Sequence, residues 1–219
     1  MATSIKDRVA VQRNVRRGCA VLDCGRLTAA SEGSGLHYAY CRAHGEHFRR
    51  HGSYSKPSYT ASQLEPYRKR ALVWLRENRR TGVVCQAVER VTTLYRRAGI
   101  RPSVFSLAGQ GPEDRAMAAW ARIRAAQVDP LVVLAAWLGV QACHDEDPQP
   151  EHSKEYRQVQ AGKLLHRMAG GAHKSWGGYD GAPKVELHKY PASRGRVLRH
   201  LGRHLEQAAS SLPEGTDGA

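Results

Sequence analysis

Three cysteines and a histidine near the N-terminus, Cys19, Cys24, Cys41 and His44, follow the spacing C-x4-C-x16-C-x2-H. Two close pairs separated by a loop let a single chain wrap a tetrahedral zinc ion, for which thiolate and imidazole are the ordinary donors. A structural Zn2+ at this place would stand in for a hydrophobic core that so short a segment cannot build. His44 is the expected fourth ligand because C-x2-H mirrors the tight pair of many zinc knuckles. His47 is the alternative, since C-x5-H also closes a chelate on a helix.

The motif runs directly into Arg42-Ala-His-Gly-Glu-His-Phe-Arg-Arg-His-Gly52, which is basic and aromatic. A metal knuckle that starts a strip of cations points to nucleic acid as partner. Bulk charge agrees. The 219 residues include 34 Lys+Arg against 20 Asp+Glu, a formal net charge of +14. Such a surface attracts polyanions and steers them in. Hydrophobic residues make up 41% and charged residues 25%, ordinary for a globular chain. No stretch approaches the roughly 18 apolar residues of a membrane span, and the N-terminal residues lack a hydrophobic signal region. The expected location is therefore cytoplasmic and nucleoid-associated. With five cysteines, three of them in one cluster, metal ligation is favoured over disulfides. Cys85 and Cys143 read as small buried hydrophobes.

The elements that must position these groups follow from local signals. Residues 1–57 are expected to form a basic arm (Arg13, Arg16, Arg17) and the zinc module, with a small polar loop near residues 28–35. Ser62-Gln-Leu-Glu65 reads as a capping box, opening a helix with Leu64, Tyr67, Ala71, Val73, Trp74 and Leu75 inward. Arg68, Lys69, Arg70, Arg76, Arg79 and Arg80 are assigned to its opposite side. Thr81-Gly82 breaks the pattern. A second helix carries Val84, Ala87, Val88, Val91 and Leu94 and stops at Gly99. A third begins near Glu113. Asp129-Pro130 opens a fourth, apolar almost all round, predicted as the central core helix. Ser153 opens a fifth that ends at Gly170-Gly171. The glycines and alternation of residues 172–190 suggest a short hairpin. A last helix, near residues 193–209, places Val197, Leu198, Leu201 and Leu205 inward. The predicted class is thus mainly α: a zinc-knuckle module (1–57), a helical domain (60–150), a helix-hairpin-basic helix unit packed on it (151–210) and a disordered tail (211–219).

Residues 19–57 resemble the small zinc modules of bacteriophage and of actinobacterial or proteobacterial mobile-element proteins. The matching positions are Cys19, Cys24, Cys41, His44 and the run Arg49, Arg50, His51, Gly52. Gly45 stands where that family has an aromatic residue, and Ser53 where it has an acid. The resemblance implies DNA binding, in some members beside an HNH-type endonuclease. It covers under a fifth of the chain and says nothing of residues 60–219.

Signs of catalysis are sparse. An HNH nuclease needs a histidine base, a further metal ligand and an oriented asparagine, and no such set lies near the knuckle. His144-Asp-Glu-Asp147 gathers metal-capable groups but reads as a polar helix end. His200 and His204 stand at i, i+4 without a third ligand and read as surface or phosphate-contacting groups. Tyr190 lacks the spacing of a recombinase nucleophile. His173, Trp176 and Tyr179 beside Lys174 are candidates for base stacking. The reading that results is a non-enzymatic, zinc-containing DNA-binding protein of a phage, plasmid or transposable element. Phosphate contacts are assigned to Arg42, Arg49, Arg50, Arg68, Lys69, Arg79, Arg80 and Lys174, and to Arg194, Arg196, Arg199 and Arg203. The alternatives are a nuclease or recombinase component, or a nucleoprotein assembly subunit that binds RNA or protein.

Overall fold

The computed structural model describes residues 18–28, 39–176, 185–189 and 195–213, with the backbone alone for residues 104, 105, 172–176 and 185–189. The chain divides into two compact units, Met1–Pro57 and Ser58–Ala219. Helix α1 (Arg42–His51) belongs to the first. The second contains α2 (Ala61–Glu77), α3 (Gly82–Arg97), a short 3-10 turn (Val104–Leu107), α4 (Pro112–Ala125), α5 (Pro130–Asp145), α6 (Lys154–Met168), strands β1 (Ala172–Trp176) and β2 (Val185–Lys189), and α7 (Gly195–Ala208). The class is mainly α, as expected. The strands pair antiparallel with Ala172 opposite Lys189 and Trp176 opposite Val185. The glycine-rich connection between them, residues 177–184, lies outside the described residues, as do Tyr190, the N-terminal arm and the loop at 29–38.

Most helix ends form where their signals stand. Asp129 caps α5 by accepting from the Leu131 amide at 2.8 Å. The α3 helix ends at Ala98, with Gly99 at a φ of 67°. One cap is displaced. The capping box of α2 is Thr60 with Gln63: Thr60 Oγ1 accepts from the Gln63 amide at 3.2 Å, and Gln63 Oε1 accepts from the Thr60 amide at 2.8 Å. Ser62, two residues on, instead bonds the Thr60 hydroxyl.

Helix α5 is the centre of the second unit. Nine of its residues, from Val133 to Cys143, are buried, and it packs against α2, α3, α6 and α7. On α2 the buried side chains are Leu64, Ala71 and Leu75, and Arg68 lies on the same row, four residues from Leu64. It is therefore not on the outer face. A Cβ on Gly139 of α5 would sit 2.7 Å from Arg68 Cγ and 2.9 Å from its backbone nitrogen, so the two helices cross in near-contact there. Val73, expected inward, is 53% exposed. Cys85 is also exposed and donates its thiol to the Arg79 carbonyl at 3.3 Å. The buried row of α3 is Val84, Ala87, Val91 and Tyr95, and position 85 falls outside it. Cys143 is buried as expected.

The acidic turn after α5 is a latch. Tyr59 donates to Asp147 Oδ2 at 2.6 Å, while Tyr67 and Arg70 donate to the two oxygens of Glu146 at 2.8 and 2.9 Å. The Tyr67 bond, then Arg70, holds the Glu146 carboxyl below its usual range. Burial first, then the bond to Asp147, raises the Tyr59 hydroxyl far above its ordinary value. These carboxylates fasten α2 to the end of α5.

Helices α6 and α7 cross closest of all. A Cβ on Gly162 would lie 2.2 Å from the Leu198 carbonyl oxygen, and one on Gly202 would lie 2.1 Å from that of Gln158. Two backbones in reciprocal contact leave no room for a methyl group at either position. Packing continues past α7 through Leu212, which is 7% exposed within the core cluster, and Ser211 donates to the Val83 carbonyl. The segment expected as a tail from residue 211 is thus anchored at its first two residues.

Two predictions follow from this packing. Gly162→Ala or Gly202→Ala should cost about 3 kcal/mol or more, since rigid backbone must shift to admit the methyl. Urea titrations followed by tryptophan fluorescence measure this, because all four tryptophans lie in the second unit. The second prediction concerns pH. Burial, then the charges of Arg122 and Arg115, pushes the His166 pKa down to about 4. Burial also lowers His204, against the opposing pull of Glu113. Between pH 6.5 and 4 the unfolded chain therefore binds more protons than the folded one, and stability falls as pH drops through that window. His166→Gln should flatten the decline by about 2–3 kcal/mol.

Candidate metal centre

The four predicted ligands come together. One ligand atom from each of Cys19, Cys24, Cys41 and His44 lies within 4.8 Å of every other. Cys24 Sγ and Cys41 Sγ are 3.8 Å apart, and His44 Nδ1 is 3.3 Å from Cys19 Sγ and 3.4 Å from Cys41 Sγ. A tetrahedron with metal–sulfur bonds of about 2.3 Å and a metal–nitrogen bond of about 2.0–2.1 Å has sulfur–sulfur edges near ~3.8 Å and sulfur–nitrogen edges near ~3.5 Å. The observed distances match those edges, and they are too long for a disulfide. The cluster is half-buried, with Cys41 at 3% exposure.

Local structure explains each position. The Cys19–Cys24 segment is a tight loop. Its ends are joined by a bridge between Gly18 and Leu27 and by the Cys19 amide donating to the Arg26 carbonyl at 2.8 Å. Within it the Cys24 amide donates to the Val21 carbonyl at 3.2 Å, and Asp23 takes a φ of 59°. The second pair is organised by α1. Cys41 is its N-cap and His44 the third residue of its first turn, so the x2 spacing sets both on one edge of the helix. The Cys41 amide donates to Cys19 Sγ at 3.3 Å and links the two pairs.

Electrostatics point the same way. The His44 backbone amide is the main influence holding the Cys41 thiol below its usual range. Cys24 is raised: the Arg26 amide lowers it, but desolvation and the neighbouring Cys19 and Cys41 sulfurs outweigh that. Three thiols so close cannot all ionise unless a cation sits among them. The site can hold one tetrahedral metal ion, with all four ligands from protein.

His47 is occupied elsewhere. Its Nδ1–H donates to the Ser53 carbonyl at 2.8 Å, and its ring stacks on His51 with centroids 4.3 Å apart. Of the two candidates for fourth ligand, His44 is the one beside the cysteines. Past His51 the chain reverses at Gly52, whose φ of 79° is the left-handed conformation that glycine accepts without strain. Ser53 is buried, and its hydroxyl accepts from the amides of Ser55 and Lys56. The reversal lays Tyr54 on Phe48 and on Tyr40, with centroids 4.4 and 3.4 Å away. This aromatic stack has no periodic signature in the sequence. The pairing of Phe48 with a tyrosine six residues on, across Gly52, is its one visible trace.

The candidate phosphate-binding residues fall into several environments. Arg42, Arg49 and Arg50 are exposed on α1. Arg42 also pairs with Glu46 and, with Arg26, Leu27, Cys41 and Ala43, lines a groove beside the metal ligands. In the second unit Arg79 and Arg80 are exposed in the turn after α2, and Lys69 is exposed but paired with Glu65. Arg196 and Arg203 are exposed on one row of α7. Arg199, on the same row, is only 14% exposed and bonds Glu155 through Nε at 2.8 Å. Arg68 packs against α5, with its Nε buried and lacking a hydrogen-bond partner. The side chain of Lys174, those of His173 and Trp176, and the whole of Tyr179 and Arg194 lie outside the described residues.

His200 and His204 are not free surface groups. Both meet the Glu113 carboxylate of α4, His204 through Nε2 at 2.9 Å. The fully buried Trp120 donates Nε1–H to His204 Nδ1 at 3.2 Å. Because an indole N–H can only donate, Nδ1 is the acceptor, and the proton of a neutral His204 resides on Nε2 facing Glu113. The pair fastens α7 to the start of α4.

No protein-family model, curated protein or solved structure matches the chain. The likeness of residues 19–57 to mobile-element zinc modules thus rests on the motif itself.

The purified chain should carry one metal ion per molecule, measured by elemental analysis. Cys24→Ser and His44→Asn should lose it, and His47→Asn should retain it.

Proposed function

We propose that the chain is a zinc-containing DNA-binding protein that acts as an accessory or regulatory factor rather than as an enzyme. The observation that carries this reading is the closed Cys3His cluster seated at the N-terminus of α1, the helix that presents Arg42, Arg49 and Arg50. Thiolate-rich tetrahedral sites select Zn2+ over the harder cations. Four protein ligands leave no position for substrate or an activated water, which is the pattern of a structural zinc. The metal's role is then to hold α1 and its arginines in place. The formal net charge of +14 supplies long-range attraction for a polyanion.

Exposed arginines on α7 and around the end of α2 offer further phosphate contacts. These contacts set position and affinity; sequence preference needs groups that reach base edges. The resemblance to phage and mobile-element modules supports DNA over other polyanions.

The test is duplex-DNA binding by fluorescence anisotropy between 50 and 200 mM salt. Affinity should fall steeply, with a log–log slope of about −0.9 per phosphate neutralised. Arg49→Ala with Arg50→Ala should make the slope shallower by about 2, while Glu206→Ala should leave it nearly unchanged. A flat salt profile would sink the proposal. Tighter binding to RNA than to duplex DNA would favour an assembly role instead, and metal-dependent nicking of plasmid DNA would favour a nuclease.

A further inference from the structure

Arg122 is the most anomalous side chain among the described residues of the second unit. It lies within the run Ala118–Ile123 on α4, all of it buried, and is itself only 4% exposed. Two of its three guanidinium nitrogens, Nε and Nη1, are buried with no hydrogen-bond partner. A buried, unpaired guanidinium costs several kcal/mol of desolvation unless something returns the lost interactions.

Its charged neighbours among the described residues deepen the problem. Arg115 is seven residues earlier on α4 and so on the same face. Arg101 approaches from the loop after α3, and both act on Arg122 through their charges. His166, on the neighbouring helix α6, is close enough for Arg122 and Arg115 to oppose its protonation. Burial, followed by those two arginines, lowers the Arg122 pKa to about 10, so it still carries its charge at neutral pH. His166 stays neutral there and keeps one N–H available.

A buried guanidinium with two unpartnered nitrogens, close to two more guanidiniums and a neutral imidazole, complements a compact tetrahedral or planar oxyanion. Guanidinium geometry suits phosphate in particular, because two parallel N–H groups meet two oxygens. We infer that Arg122, Arg115, Arg101 and His166 form an oxyanion site between α4 and α6, specific for a phosphate-type group. The anion would supply acceptor oxygens to the unpartnered Arg122 guanidinium. The same chemistry is offered by free phosphate or a small phosphorylated molecule, and by a phosphodiester of nucleic acid. The inference stands independently of the proposed DNA binding, since it rests on side chains that the α1 strip does not include.

The experiment uses the full chain and inorganic phosphate. At constant ionic strength, phosphate should raise Tm saturably relative to chloride, and the Nε–H resonance of Arg122 should shift with the same midpoint. Arg122→Met should melt at the same or a higher temperature in chloride, because the uncompensated charge is gone, and should lose the phosphate response. If that variant fails to fold, Arg115→Gln and Arg101→Gln, whose side chains are less buried, should each weaken the phosphate midpoint severalfold. An oligonucleotide arm identifies the source. If Arg122→Met weakens duplex-DNA affinity and phosphate competes with DNA at millimolar concentration, the ligand is a phosphodiester. If DNA affinity is unchanged while the phosphate response is lost, the ligand is a free phosphate-type anion. Equal phosphate responses in wild type and the Arg122 and Arg115 variants, or no shift of the Arg122 resonance, would overturn the site. Loss of DNA binding on Arg49/Arg50 substitution with the phosphate response intact separates the two proposals.

Discussion

The first unit depends on the mutual approach of three sulfurs and one imidazole. Its described residues bury almost nothing apolar: apart from Cys41, the buried positions are Thr28, Gly45, Gly52 and Ser53. No hydrophobic driving force of useful size comes from such a set. Three thiols within a few ångströms would also repel one another once ionised. A bound cation reverses both terms at once, and apparent binding energies of about 10–16 kcal/mol in zinc-finger peptides show the scale available. Among the described residues, the Cys19–Cys24 loop and the N-terminus of α1 are arranged around that centre, and a stack of Tyr40, Tyr54 and Phe48 follows the turn at Gly52.

The second unit is held by different means. A conventional apolar core centred on α5 supplies the driving force, and close backbone approaches set its geometry. Gly162 and Gly202 let α6 and α7 touch carbonyl to Cα, and Gly139 lets α2 lie on α5 beneath Arg68. Around this frame the polar side chains serve as fasteners. Glu113 gathers His200 and His204, Glu146 and Asp147 gather Tyr67, Arg70 and Tyr59, and Glu155 holds Arg199. Several groups whose types suggest metal or phosphate chemistry are thus consumed in joining helices. Arg122 is the exception, since it has neither an acid beside it among the described residues nor a hydrogen bond for two of its nitrogens.

This sorting bears on function. Arginine is abundant throughout the chain, yet exposure separates its uses. Arg42, Arg49 and Arg50 stay at the surface on a helix whose N-cap is a metal ligand. Arg196 and Arg203 stay at the surface on α7, while Arg199 between them turns to Glu155. A strip of cations on a helical wheel is therefore not a uniform binding face. On α7 a carboxylate of a packed neighbour draws Arg199 in, and on α2 Arg68 turns onto α5 at Gly139 with no acid among the described residues to meet it.

Much of this was legible along the chain. Ligand spacing identified the metal cluster, because both close pairs are local: a tight loop and one helical turn each bring two donors together over a few residues. Apolar periodicity and caps located the helices and the dominant burial of α5 for the same reason. The C-x2-H spacing already favoured His44; what the tertiary structure added is the chain reversal at Gly52, which brings the Ser53 carbonyl to the His47 ring and occupies the alternative. The inward placement of Arg68 depended on a glycine on another helix, and the exposure of Cys85 on which row of α3 meets the core. The pairing of His200 and His204 with Glu113, like the isolation of Arg122, joins residues tens of positions apart. Local spacing sets what a turn or a loop can bring together; which charges meet, and which are left without a partner, is decided only when the helices pack.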